Sequence, residues 1–151
     1  MREAEMNHDR YDDAFIADWL GKVRTIAVVG ASPNPARPSH GVSHFLARHR
    51  NKVFLVNPGQ GGREQNGLTF YASLADVPGP IDMVDVFRAP EYLGSVVEEA
   101  LALSPRPKLI WSQLGVRDDA AAAKAEAAGV AVIMNRCPAI EIPRLRLPRV
   151  A

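Results

Sequence analysis

Five short apolar runs rich in β-branched residues punctuate the chain: Thr25–Val29, Lys52–Val56, Ile81–Phe87, Lys108–Trp111 and Val130–Met134. Segments of helical periodicity fall between them. Phe15, Ile16, Trp19 and Leu20 share one helical face ahead of the first run, and Val42, Phe45 and Leu46 share another after it. Strands that alternate with helices at this spacing pair in parallel, because each crossover returns the chain to the same end of the sheet. Right-handed crossovers then give a doubly wound, Rossmann-like α/β fold. The expectation is a five-stranded parallel sheet with helices on both faces.

Boundary residues support this reading. Asp12 and Asp13 suit a helix N-terminus, and Gly21 suits the position just past a C-terminus. Ser39 can cap the next helix. Ser73-Leu-Ala-Asp76 has the form of a capping box. Pro90 opens a helix that continues to about Leu103. An alanine-rich helix runs from about Asp118 to Ala128 and stops at Gly129. The Gly- and Gln-rich segment 59–67 reads as a surface loop. The tail Ile142–Arg149 alternates apolar and basic residues, as an edge strand, a partner contact or a docked strap would.

A single domain over residues 1–151 is expected, with the polar residues 1–10 frayed. The formal net charge of +1 excludes a strong field of either sign, so neither nucleic acid nor a membrane surface is indicated as a partner. No apolar run is long enough to span a bilayer, and Met1–His8 lacks the apolar core of a signal peptide. One cysteine excludes an internal disulfide. The chain reads as a cytoplasmic protein.

The first apolar run ends at Gly30, and a polar loop then leads to a helix that opens near Gly41. A strand, a tight loop and a helix N-terminus together form an anion site, through outward N–H groups and the helix dipole. In doubly wound sheets the ligand lies outside the carboxyl ends of the strands. Those ends supply Gly30, Ala31 and Ser32, then Asn57 and Pro58, then Phe87 and Arg88, then Ser112 and Gln113, and finally Asn135, Arg136, Cys137 and Pro138. This set holds arginines and no carboxylate, which suits an anionic ligand and disfavours a Mg²⁺ site. A nicotinamide dinucleotide fits less well. Its fingerprint wants three close glycines and an acidic residue after the second strand, where this chain has Gly30-Ala-Ser-Pro and Asn57-Pro58.

Single residues narrow the chemistry further. Arg37, between Pro35 and Pro38, can grip a phosphate bidentately. His40 and His44 have the spacing of paired zinc ligands, but no acidic or cysteine partner completes a metal site. His40, near the helix start, suits a phosphate or ribose donor. Cys137 lacks a sequence-evident base, and Asp82 and Asp85 face opposite sides of a strand, so no catalytic residue is assigned.

Five blocks in order carry a family resemblance: Val29-Gly-Ala-Ser-Pro-Asn-Pro-Ala-Arg-Pro-Ser-His-Gly41, Val56-Asn-Pro58, Val84-Asp-Val-Phe-Arg88, Trp111-Ser-Gln-Leu-Gly115 and Arg136-Cys-Pro-Ala-Ile-Glu141. The chain resembles the small bacterial and archaeal CoA-binding proteins, which are similar to the N-terminal CoA-binding domain of the succinyl-CoA ligase α-subunit. The resemblance implies that CoA or an acyl-CoA is the ligand, with its phosphates at the first loop. It places that ligand on Gly30, Ala31, Ser32, Arg37, Ser39, His40 and Gly41, on Asn57 and Pro58, on Val86, Phe87 and Arg88, and on Asn135, Arg136, Cys137 and Pro138. The ligase block Asn-Cys-Pro-Gly stands here as Arg136-Cys137-Pro138-Ala139, and the second domain with its phosphorylated histidine is not in this sequence. A non-catalytic CoA-binding module, with an unidentified protein partner possible, is therefore the first expectation. The alternatives are an enzyme or split-ligase subunit acting on acyl-CoA, and an NAD(P)-binding protein.

Overall fold

A computed structural model describes residues 6–150. The strands are β1 (Thr25–Val29), β2 (Lys52–Val56), β3 (Glu64–Gln65), β4 (Leu68–Tyr71), β5 (Met83–Val86), β6 (Leu109–Ser112) and β7 (Ala131–Ile133). The α-helices are α1 (Asp13–Lys22), α2 (Pro38–His49), α3 (Leu93–Leu101), α4 (Asp119–Ala127) and α5 (Pro138–Arg144), with single 3-10 turns at Leu74–Asp76 and Pro90–Tyr92.

One sheet runs β3-β4-β2-β1-β5-β6-β7, and every adjacent pair is parallel except β3–β4. It thus has seven strands where the apolar runs predict five. Both extra strands arise in and just after the presumed surface loop. Asn66 and Gly67 carry φ angles of 51° and 82°, the pair of left-handed residues that a two-residue hairpin turn needs. The six parallel strands run β4-β2-β1-β5-β6-β7, so the winding reverses between β1 and β5.

Alternation along each strand feeds two cores. Ile26, Val28, Met83, Leu109 and Trp111 pack under Ile16 and Leu20 of α1, Leu46 of α2 and Ile142 of α5. Ala27, Val29, Val84, Val86 and Ile110 pack under α3 and the alanines of α4. Burial on both faces explains why the central runs are continuously apolar.

Several helix ends differ from expectation. Ser39 does not cap α2. Arg37 holds the cap position, Pro38 opens the helix, and Ser39 Oγ instead accepts the Ser32 N–H at 3.0 Å. By contrast, Asp118 caps α4, accepting the Ala121 N–H at 3.1 Å. The helix after Pro90 begins as a 3-10 turn and ends at Leu101 rather than Leu103. The start of the basic tail, Ile142 to Arg144, lies within α5 despite Pro143, and the remainder docks as a strap through the Val150 N–H to the His49 carbonyl.

Residues 1–5 of the segment expected to fray lie outside the described residues. His8, in the same segment, is packed. Tyr11 Oη accepts the Met134 N–H and donates to His8 Nδ1 at 2.6 Å, which leaves His8 Nε2 to donate to Glu126 at 3.3 Å. Among the described residues no helix is long and apolar enough to cross a membrane.

Candidate functional site

A cleft of about 660 Å³ opens where the winding reverses, between the loops that follow β1 and β5. Gly30 forms its floor. At φ +84° it adopts a backbone conformation that L side chains avoid, and a Cβ there would lie 2.9 Å from the Phe87 carbonyl oxygen and 3.0 Å from Arg88 Cγ. The two strand-end loops therefore touch only because position 30 has no side chain. Arg37 and Arg88 line the cleft, and among the described residues no carboxylate does. The Arg88 guanidinium lies 4.3 Å from the ring centre of Tyr92, which holds it at the rim. A smaller cleft of about 230 Å³ adjoins through Gly30 and Arg88 and is lined also by Asn57, Pro58, Ser73 and Glu99.

The loop's backbone supplies fewer outward donors than its resemblance to an anion loop suggests. The Gly30 and Ala31 N–H groups both bond the Val56 carbonyl, at 3.0 and 3.2 Å. Ser32 N–H is spent on Ser39, Asn34 N–H on Ser32 Oγ, Ala36 N–H on Asn34 Oδ1, and Arg37 N–H on the Asn34 carbonyl. Pro33, Pro35 and Pro38 have no N–H. Among the described residues no loop or cap hydrogen bond engages Ser39 N–H at the α2 N-terminus. Positive charge for the cleft therefore comes mainly from Arg37 and Arg88, with the helix dipole behind them.

The structure brings together six of the sixteen sequence-assigned residues at the large cleft: Gly30, Ser32, Arg37, Ser39, Phe87 and Arg88. Asn57 and Pro58 join through the small cleft. Others are turned elsewhere. Ala31 and Val86 are buried in the two cores, though their carbonyls accept Asn57 Nδ2 and the Gln113 N–H. His40 packs against His44 with ring centres 4.3 Å apart and planes inclined by 32°, its Nε2 buried and without a partner among the described residues. Gly41 lies exposed on α2, with open space where a Cβ would stand. Arg136 lies over Tyr11 and beside Glu141, and its carbonyl accepts Trp111 Nε1. Cys137 is buried, and Pro138 is buried as the first residue of α5. Asn135, at φ 60°, reaches the cleft indirectly: its Oδ1 accepts the Gly115 N–H at 2.7 Å and shapes the loop after β6.

That loop is the main addition to the site. Gln113, Leu114, Gly115 and Val116 line the large cleft, as do Ala89 and Pro90. The strand-end rule already places Gln113 in the crevice, but the resemblance puts no ligand on it. Gln113 is buried with its Oε1 unpartnered among the described residues, while Leu114 is exposed. A buried acceptor and an exposed leucine on one wall suit a ligand with both a donor and an apolar portion. Glu99, which sequence reasoning missed, reaches the small cleft from α3, a helix that no strand-end rule surveys.

Two carboxyls near the strands behave oppositely. Burial raises Asp82, but the Arg24 and Thr25 N–H groups and Lys108 outweigh that and hold it below the usual range. Asp85, on the Trp111 face of β5, is buried with neither oxygen partnered among the described residues, and burial pushes it well above the usual range.

Comparison with known proteins bears on this geometry. The profile of a family described as a CoA binding domain matches residues 24–143. The chain is similar to the uncharacterized protein YneT of Bacillus subtilis, at 36% identity over 82% of this chain and 89% of that one. Its fold is similar to that of a hypothetical protein from Pyrococcus horikoshii, with a TM-score of 0.84 at 34% identity, covering 96% of this chain and 99% of that one. A dinucleotide-forming acetyl-coenzyme A synthetase from Ca. Korarchaeum cryptofilum shares the fold over 76% of this chain and 26% of its own, with a TM-score of 0.63 at 21% identity.

Proposed function

The chain belongs to the CoA binding domain family, and from that premise we propose that it is a cytoplasmic, non-catalytic module holding CoA or an acyl-CoA across the strand ends. The observation that carries the reading is the cleft at the β1/β5 reversal, floored by a glycine that nothing larger could replace and lined by two arginines and no carboxylate. CoA is a nucleotide with a diphosphate, a ribose phosphate and a long neutral arm. Arg37 and Arg88 face the phosphates, with Ser39 N–H and the α2 N-terminus behind them. Gln113 Oε1 accepts from the arm, and Leu114 and Val116 cover its apolar stretch. Asn57, Pro58 and the small cleft take part of the nucleoside. Ala31, Val86 and Asn135 support these contacts without making them, whereas Arg136, Cys137 and Pro138 sit behind the wall.

Glu99 favours a second reading. A carboxylate near the end of the second strand is what a dinucleotide ribose asks for. Isothermal titration with CoA, NAD and NADP separates the two. CoA should bind, and the nicotinamide nucleotides should bind at least tenfold more weakly. Tighter binding of NAD or NADP would replace the CoA reading. Thiol release from acyl-CoA, followed for hours beside a protein-free control, should stay at background. Turnover above it would make the chain an enzyme.

A further inference from the structure

We infer that Gln65 is a positioning residue: from the β3–β4 hairpin it holds the loop that presents Arg37 to the cleft. The inference rests on the CoA reading above. Gln65 stands on a two-residue strand at the sheet edge, 32 positions from the carbonyl it binds. Its Nε2 donates to the Pro33 carbonyl at 2.9 Å. Its Oε1 is buried with no partner among the described residues. A buried amide with one end unsatisfied is costly, and an apolar side chain of the same size would avoid that cost. Gln65 therefore brings no net advantage to the hairpin itself. What it supplies is a fixed point for Pro33.

The loop needs one. Two of its residues, Pro33 and Pro35, are prolines, and its own bonds, from Asn34, Ala36 and Arg37 N–H, are local. Local bonds set the shape of a turn and leave its placement on the molecule open. Placement comes from ties to other elements: the Gly30 and Ala31 N–H groups to the Val56 carbonyl, Asn57 Nδ2 to the Ala31 carbonyl, Ser32 N–H to Ser39 Oγ, and Gln65 Nε2 to the Pro33 carbonyl. Gln65 is the last of these before Arg37. The hairpin is itself braced against α2, since Asn66 Nδ2 lies 3.3 Å from His44 Nε2. Arg37 is exposed and makes no side-chain hydrogen bond among the described residues, so the aim of its guanidinium follows the loop.

A double-mutant cycle tests this. CoA is titrated into the parent, Gln65→Met, Arg37→Ala and the double variant, with melting temperatures recorded for all four. Gln65→Met keeps the side-chain length and removes both the donor and the orphaned acceptor. It should weaken CoA about three- to tenfold in the parent background and less than about twofold in the Arg37→Ala background, without lowering the melting temperature. A purely structural role would weaken binding equally in both. Equal weakening, or parent-level affinity for Gln65→Met, overturns the inference and leaves the CoA reading standing. A parent that does not bind CoA overturns both. Gln65→Glu, of the same shape but with no proton to donate as a carboxylate, repeats the cycle and decides it should Gln65→Met fail to fold.

Discussion

At the scale of the residue, Arg37 and Asp85 show what one side chain does for binding and for stability. On the CoA reading proposed above, with the loop N–H groups spent internally, much of the phosphate recognition falls to Arg37. A charge-assisted contact contributes roughly 1.5–3 kcal/mol, so Arg37→Ala should weaken CoA about ten- to hundredfold in a titration. Comparison with dephospho-CoA identifies which phosphate it holds, and parent-level binding of both ligands would remove Arg37 from the site. Asp85 acts on the fold. Burial raises its carboxyl in the folded chain, so its contribution to stability is fully present only below the unfolded value of about 3.9 and is lost as pH rises through the raised folded value. Asp85→Val removes the titration and two unpartnered buried oxygens. The variant should be more stable by roughly 1–3 kcal/mol near neutral pH, with the gain fading toward pH ~4. Denaturant melts across that range check it, and a gain that grows toward acid would refute the burial argument. Sequence made Arg37 and Arg88 legible because a strand end and a proline-bounded loop are local features. It could not show Glu99 or the burial of Asp85, since both depend on which helix and which face meet in space.

At the scale of the element, β1 and β2 have the bounds their apolar runs predict, and the helices agree to within a few residues. The misses have physical causes. The β3–β4 hairpin has little apolar alternation, because β3 is a two-residue edge strand half open to water, yet Asn66-Gly67 carried the turn signal in plain view. Helix α5 was hidden by Pro143 and by an apolar–basic alternation that reads as a strand. With α5 formed, Arg136 lies over Tyr11 and Cys137 and Pro138 are buried, and none of the three lines the cleft. Helix α2 offers a test at this scale. Gly41 lies in its first turns, exposed, with nothing within 4 Å of an added Cβ. Glycine there costs the helix up to about 1 kcal/mol relative to alanine, so Gly41→Ala should raise the melting temperature by about 2–4 °C. If ligand phosphate approaches this turn, Gly41→Val should weaken CoA while the fold survives. Unchanged CoA affinity in folded Gly41→Val would place the phosphate away from α2.

At the scale of the molecule, the cleft and the buried Arg50 lie at opposite ends of the sheet. The cleft lies at the carboxyl ends of the strands. At the other end Arg50, 3% exposed, precedes β2. Its Nε donates to the Leu20 carbonyl at 3.1 Å, and its Nη1 donates to the His49 and Pro148 carbonyls at 2.6 and 3.2 Å. Leu20 and His49 lie in the last turns of α1 and α2, where carbonyls lack helical partners and the dipoles present their negative ends. One guanidinium thus joins two helix C-termini to the strap that follows α5, although it has no carboxylate partner among the described residues. Bonds of this charged kind contribute roughly 1.5–3 kcal/mol each, and not additively. Arg50→Met, which keeps the apolar stem, should cost about 2–4 kcal/mol and lower the melting temperature by roughly 5–15 °C at this size. Arg50→Lys should recover only part of the loss, because an ammonium cannot present the same planar fork. Neither variant should change CoA affinity below its melting transition, since β2 spans about 16 Å between Arg50 and the cleft. Thermal melts and titrations on the same preparations check both halves. A melting temperature unmoved by Arg50→Met would show that the carbonyls find other donors, and a selective loss of CoA binding would show that the two ends of the sheet are coupled.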